Sequence, residues 1–307
     1  ADVYKGQTGD GSSYGLHMTT HFDFSPAALA ALAQGDAARA LAEDVGPCDL
    51  TAGLIDPTAH ATARVLAREA AVICGAPWVQ ATLQQVDPAA TIQWWVGEGE
   101  RCAPDQVVLE MTGSARGLLT AERTALNFLQ TLSAVATKTA RYVDAVQAVP
   151  GNRAQIVDTR KTLPGLRLAQ KYAVRTGGGT NHRIGLYDAV LIKEHHIAAA
   201  GSVSAVLARA AQVAPSATFV EIEVETLAQL AEALDAGAAM VLLDNMTPEM
   251  LREAVQINDG RAILEVSGGV NMSTVAGIAA TGVDRLSIGT LTKDVQAIDF
   301  SMRFSAQ

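Results

Sequence analysis

The stretch F-V-E-I-E-V-E-T-L-A-Q-L-A-E-A-L-D-A-G-A-A-M-V-L-L-D-N, Phe219–Asn245, decides the fold class. Phe219 to Val224 alternates aliphatic and acidic residues, the period of a strand. Thr226 to Ala236 opens on a capping threonine and carries leucines at helical spacing. Met240 to Asp244 is a short, continuously apolar strand ending in a carboxylate. A strand, a helix and a second strand joined by short turns imply parallel strands with a crossover helix.

The same rhythm extends both ways. Ile156-Val157-Asp158, Ala189 to Lys193, Ile263 to Val266 and Arg285 to Ile288 read as further strands. Helical patterns lie at Ser204 to Val213, Thr247 to Asn258 and Ser273 to Thr281. A repeat of about 20–25 residues suits a parallel (β/α) barrel. An open doubly wound sheet is the alternative, but no strand runs into a G-x-G-x-x-G turn.

Upstream the pattern differs. Ser25-Pro26 opens a helix to Asp44. Strands are expected at Thr62–Ile73, Ile92–Val96 and Gln106–Met111, the last two joined by the turn Gly97 to Glu100. A short helix is expected at Pro77–Val86, and one or two long ones over Leu118–Val149. Ala1 to His17 is rich in Gly, Ser and Thr without periodicity. It is expected to be a disordered leader appended for expression, with the native start at Met18.

The chain has 307 residues, 49% apolar and 18% charged, enough for a sizeable core and against wholesale disorder. A formal net charge of −9 and 5% aromatic residues argue against a general nucleic-acid or anionic-membrane binder. Ala70–Val86, the most tempting apolar run, is broken by Gly75, Pro77 and glutamines, so no membrane span is expected. Cys48, Cys74 and Cys102 form no motif and read as reduced, buried small hydrophobes of a cytoplasmic protein.

Every barrel strand ends in polar residues: Asp158-Thr159-Arg160-Lys161, Lys193-Glu194, Glu223, Asp244-Asn245, Ser267-Gly268-Gly269 and Gly289-Thr290. In a barrel these ends converge on one mouth. Between Thr159 and Lys193 stand Arg160, Lys161, Arg167, Lys171, Arg175, Arg183 and Lys193, against the single acid Asp188. A basic island in an acidic chain implies a ligand with several negative charges. Arg167, Lys171 and Arg175, spaced by four, read as a solvated helix face. Glu221, Glu223 and Glu225 share one face of their strand and need partners if turned inward; for Glu221 and Glu225 a salt-bridge network is an equal reading. Glu223 with Asp244 suits Mg²⁺ or ribose hydroxyls. The glycines after the last two strands can offer backbone N–H groups to a phosphate, and Gly177-Gly178-Gly179 reads as a flexible stretch able to close over a ligand.

These segments together resemble the quinolinate phosphoribosyltransferase family. The matching stretches are Glu122–Gln130, Asp158–Arg167, Lys171–Arg183, Asp188–Glu194, Leu242–Asn245, Glu265–Val270 and Leu286–Thr292, and the likeness runs from Phe22 to Phe304. His195 departs from it, standing where asparagine is expected. The resemblance implies an α/β fold: an N-terminal α/β sandwich domain over residues 18–130 plus an incomplete parallel (β/α) barrel over 131–291. The tail, 292–307, returns to the first domain. It implies a homodimer with a shared active site, open to higher assembly, and Mg²⁺ held mostly through phosphoribosyl pyrophosphate (PRPP) and water. The matched residues place Arg123, Arg160, His182 and Arg183 on quinolinate, and Lys161, Lys193, Glu223 and Asp244 on PRPP and catalysis. Ser267, Gly268 and Gly289 would cradle the 5′-phosphate. The implied reaction gives nicotinate mononucleotide, pyrophosphate and CO₂. A nicotinate phosphoribosyltransferase, the molybdenum-associated paralogue and a silent anion-binding barrel are the alternatives. The full arginine set speaks against the nicotinate enzyme, and retention of Lys161, Lys193, Glu223 and Asp244 against a silent barrel.

Overall fold

The structure, a computed structural model, describes residues 22–305. The expected leader over Ala1 to His17, and Met18, lie outside the described residues. The N-terminal part runs α1 (Pro26–Asp44), β1 (His60–Ala67), β2 (Ala71–Val72), α2 (Ala76–Val86), β3 (Thr91–Trp94), β4 (Arg101–Cys102) and β5 (Val107–Ser114). α3 (Ala115–Gln147) is a single helix of 33 residues, capped where the Ser114 hydroxyl accepts the Gly117 N–H. Its first half packs Leu118, Ala121, Ala125 and Leu129 on the N-terminal sheet. Its second half packs Val135, Ala136, Ala140 and Val146 on the barrel. One helix therefore belongs to both cores, and each fully buried leucine adds about 1.5–3 kcal/mol to the joint.

The barrel part runs β6 (Gln155–Val157), α4 (Arg167–Thr176), β7 (Val190–Ile192), α5 (Glu194–Ala200), α6 (Val203–Val213), β8 (Val220–Val224), α7 (Leu227–Asp235), β9 (Met240–Asp244), α8 (Pro248–Asn258), β10 (Ile263–Ser267), α9 (Val275–Ala279), β11 (Arg285–Ser287) and α10 (Thr290–Lys293). The strand β12 (Phe300–Ser305) follows. Six parallel strands lie in the order β6-β11-β10-β9-β8-β7. Chain order runs around the sheet without a reversal, so there is no switch point and the doubly wound alternative falls. β6 and β7 end the sheet and do not pair with each other, which makes the barrel incomplete. The segment after α4 lies along the β6 edge: Thr180 donates to Ile156 O at 2.8 Å and accepts from Asp158 N at 3.1 Å. That placement carries His182 and Arg183 toward the barrel.

β12 returns to the first part of the chain and pairs antiparallel with β1, Ala67 opposite Phe300 and Thr62 opposite Ser305. With β5 and β3 they form an antiparallel sheet in the order β12-β1-β5-β3.

Several expectations need correction. The strand expected over Thr62–Ile73 is two, because the chain changes sheets at Arg68-Glu69; Arg68 pairs with Asp105 at 2.7 Å on the way. Gly97 to Glu100 is not the hairpin between β3 and β5: it leads into β4, which pairs with β2. Gly177 is packed, not a lid element. A Cβ there would come 2.3 Å from Ala136 O and 2.8 Å from Thr139 Cβ, so glycine lets α4 end directly against α3. Cys74 and Cys102 are buried, but Cys48 is exposed. No single helix among the described residues is long and apolar enough to cross a membrane.

Candidate active site

The carboxyl ends of the six strands carry the polar residues to one mouth. After β6 the chain runs through Arg160 and Lys161. Arg160 Nε is buried without a hydrogen-bond partner. Arg183 lies close enough for burial and the Arg160 guanidinium to lower its own pKa. Its Nη1 donates to Ala189 O at 3.2 Å. Asp188, the lone acid of this region, is committed to the backbone, accepting from Ile184 N at 2.7 Å and Gly185 N at 2.9 Å. Two neighbouring guanidiniums, one with an unmet donor, make a seat for a planar dianion.

Lys161 is fixed at its main chain. Its carbonyl accepts from Thr292 Oγ1 at 2.7 Å and its N–H donates to Thr159 Oγ1 at 3.0 Å. Its side chain crosses Gly289, where a Cβ would lie 2.8 Å from Lys161 Cδ. Gly289 is therefore bare to let the lysine pass. Lys138, on α3, donates to Thr290 O at 3.2 Å, tying this turn to the shared helix.

Lys193 follows β7 and caps α5. His196 Nδ1 accepts the Lys193 N–H at 2.9 Å. The His195 and His196 rings lie with centroids 4.0 Å apart, tilted by 43°. Burial, His195 and Lys193 all push the His196 pKa down, which keeps Nδ1 free to accept.

Glu223 and Asp244 end β8 and β9, with Glu223 opposite Leu242 in register. Burial pushes the Glu223 carboxyl up; Lys193 opposes this, and Asp244, Glu225 and Glu194 add to it. Asn245, at φ 54°, donates to Asp244 Oδ2 at 3.1 Å. Gly268 has φ 85°, and a Cβ there would stand 3.3 Å from Asn245 Oδ1 and 3.4 Å from Asp244 Oδ1. Two hard oxygen donors repelling one another fit a divalent cation such as Mg²⁺. Ser267 lies opposite Asp244 on β10.

Arg123 is not among the residues gathered here: it is exposed on α3, outside the barrel strands. His182 is buried below the mouth, with both ring nitrogens engaged by the protein. Nδ1 accepts the Arg183 N–H at 2.8 Å and Nε2 lies 2.8 Å from Glu221 Oε2. Glu221 is thus turned inward and partnered, while Glu225 is exposed.

The reading of Arg167, Lys171 and Arg175 as one solvated face fails at Lys171, which is fully buried. It pairs with Asp158 and donates to His182 O at 3.1 Å. Residues 181–183 are thereby clamped from within, since Asp158 also accepts from His182 N at 2.8 Å and Asn181 Nδ2 at 2.6 Å. Glu265 and Arg285 were missed as well. A charged residue inside an apolar strand, as in I-L-E-V-S, is the signal that could have found them.

A cation-lined mouth over paired carboxylates, on an incomplete α/β barrel, defines an enzyme for multiply anionic substrates. Comparison with known proteins gives the family. The description "Quinolinate phosphoribosyl transferase, N-terminal domain" matches residues 49–133, and "Quinolinate phosphoribosyl transferase, C-terminal domain" matches 135–303. A nicotinate-nucleotide pyrophosphorylase [carboxylating] of Mycobacterium leprae is 43% identical over 271 residues, covering 86% of this chain and 94% of that protein. A probable enzyme of the same name from Bacillus subtilis is 37% identical over 260 residues, 85% and 89% covered. The solved nicotinate-nucleotide pyrophosphorylase from Francisella tularensis superposes with a TM-score of 0.87 at 39% identity, covering 94% of this chain and all of that one. The chain belongs to the quinolinate phosphoribosyltransferase family.

Proposed function

We infer that the protein transfers the phosphoribosyl group of PRPP to quinolinate with loss of CO₂, a step of NAD biosynthesis. The observation that carries the assignment to this mouth is the pairing of Arg160, with its unmet Nε, and Arg183. Quinolinate brings two carboxylates, and guanidiniums match such planar anions with parallel hydrogen bonds. Arg160 and Arg183 hold them, with the His182 imidazole accepting the Arg183 N–H. Lys161 and Lys193 supply point charges to the phosphates and the departing pyrophosphate.

The anomeric carbon becomes cationic as pyrophosphate leaves, and Glu223 and Asp244 favour that charge. The pyridine nitrogen attacks and becomes quaternary; its positive charge stabilises the electron pair left on the adjacent ring carbon when that carbon's carboxylate departs as CO₂, and this carbanion takes a proton from water to give nicotinate mononucleotide. Ser267, Gly268 and Gly289 accommodate the 5′-phosphate, where positive φ at Gly268 turns the chain. The chain supplies no covalent nucleophile; alignment of two reactants provides much of the rate. Glu223 and Asp244 would hold Mg²⁺, mostly through PRPP and water, and the ion would neutralise pyrophosphate charge.

The same reading makes the protein a homodimer with composite sites. Arg123 is exposed on α3, outside the barrel strands, and exposed Leu119 stands one turn before it. A cytoplasmic location goes with a pathway whose substrates are phosphorylated and charged; cell fractionation tests it. The deciding assay is ¹³CO₂ release from carboxyl-labelled quinolinate with PRPP and Mg²⁺. No release at saturating substrates, or equal use of nicotinate, would overturn the assignment.

A further inference from the structure

Beneath the mouth lie four polar side chains that the reaction above does not use directly or leaves without a stated task. Glu221 on β8 and Glu265 on β10 are fully buried; Arg285 on β11 and His182 are nearly so. His182 Nε2 stands 2.8 Å from Glu221 Oε2 and 3.5 Å from Glu265 Oε1. The Phe219 ring meets the imidazole edge-on, centroids 5.2 Å apart, and holds its plane. His182, Glu221 and Glu265 could between them offer ligand atoms to a metal. The Arg285 guanidinium, 3.7 Å from Glu265 Oε2, already supplies the positive charge an ion would bring.

The hydrogen bonds fix the imidazole's tautomer. A backbone N–H can only donate, so His182 Nδ1, which receives the Arg183 N–H, carries a lone pair. Burial lowers the imidazole's pKa, and Glu265 and Glu221 raise it by more; the Arg183 N–H aimed at Nδ1 disfavours a second proton there, so the ring's proton is on Nε2 and is donated to Glu221. Clamps sit on both sides of this bond. The His182 peptide groups are held by Asp158 and Lys171, and Ile184 N is held by Asp188. Between them, the Arg183 N–H is met by the imidazole.

We propose that Glu221 is a positioning residue for substrate binding: by accepting the Nε2 proton of His182 it keeps the Nδ1 lone pair on the Arg183 N–H, and so sets the direction in which Arg183 leaves the chain. The opposite tautomer would point an Nδ1 proton at that N–H and push the peptide away. The task assigned to Arg183 rests on the functional reading above; the tautomer does not.

The first measurement needs no variant and no substrate. In the intact protein labelled with ¹⁵N-histidine, His182 should show a lone-pair nitrogen at Nδ1 and a protonated Nε2. A protonated Nδ1 overturns the proposal. Glu221→Ala should release a mixture of tautomers and raise KM for quinolinate about ten-fold, the effect of one lost hydrogen bond to a charged group. KM for PRPP should stay within about two-fold, and Glu221→Gln, which keeps an acceptor, should recover most of the loss. In a His182→Ala background, adding Glu221→Ala should raise KM for quinolinate no further. Equal losses for both substrates, or an undiminished Glu221 effect without His182, would mean a merely structural role. A wild-type protein that ignores quinolinate defeats the functional reading alone, and the histidine spectrum still decides the tautomer.

Discussion

Lys171 and Asp158 form an ion pair in which neither side chain has any exposed surface. The pair joins α4 to the end of β6, and through His182 and Asn181 it fixes the segment that bears Arg183. Breaking such a pair leaves one charge buried alone. Lys171→Met should therefore cost about 3–5 kcal/mol of stability, read from urea denaturation. The double variant with Asp158→Asn should regain part of it. A loss under about 1 kcal/mol would show that water reaches the pair.

Arg160→Lys should be damaging although it keeps the charge. A guanidinium grips a planar carboxylate with two parallel hydrogen bonds, and an ammonium does not. The loss of about 1.5–3 kcal/mol corresponds to roughly ten- to over a hundred-fold in kcat/KM for quinolinate. PRPP binding by calorimetry should change little; a defect mainly in PRPP binding would reassign Arg160.

Gly289→Ala separates stability from activity. Its Cβ would meet the far end of the Lys161 side chain, which can swing aside. Thermal stability should stay within about 0.5 kcal/mol of the parent. The lysine is displaced from the mouth all the same, so KM for PRPP should rise. Unchanged kinetics would place Lys161 off the phosphate path.

Arg123→Ala and Lys161→Ala, each inactive alone, should regain part of the activity when mixed and allowed to exchange subunits. A heterodimer of the two keeps one intact site if Arg123 serves the partner's mouth. Exchange without recovery, followed by native mass spectrometry, would place Arg123 in its own subunit's site or in none.

Glu265 makes stability depend on pH. Burial and Glu221 push its carboxyl up to about 7, against Arg285 and the Ser287 hydroxyl, from an ordinary 4.5. A raised pKa favours the protonated native state. Its contribution is complete below pH 4.5 and is lost as pH rises through about 7. Glu265→Gln should flatten the fall of stability across that window, where one group can change the slope by up to about 1.4 kcal/mol per pH unit. Identical slopes in the two proteins would mean that Glu265 does not titrate there.

The sequence by itself determined the alternation of strand and helix after Gly151, because period-two strands and capped helices are local patterns. It also determined which residues end the strands, Lys161, Lys193, Glu223 and Asp244 among them, since a parallel barrel sends every carboxyl end to one side. Lys171 shows where that legibility stops. Its spacing from Arg167 and Arg175 is that of a solvated helix face, and only the packing of α4 against β6 buries it on Asp158. The inward layer of His182, Glu221, Glu265 and Arg285 likewise unites four segments far apart in the chain. No local period encodes such a meeting, because it depends on which strands become neighbours and how far each is turned. The packed Gly177 and the sheet change at Arg68 were hidden for the same reason: each answers to a neighbour distant in sequence, and tertiary contact alone decided them.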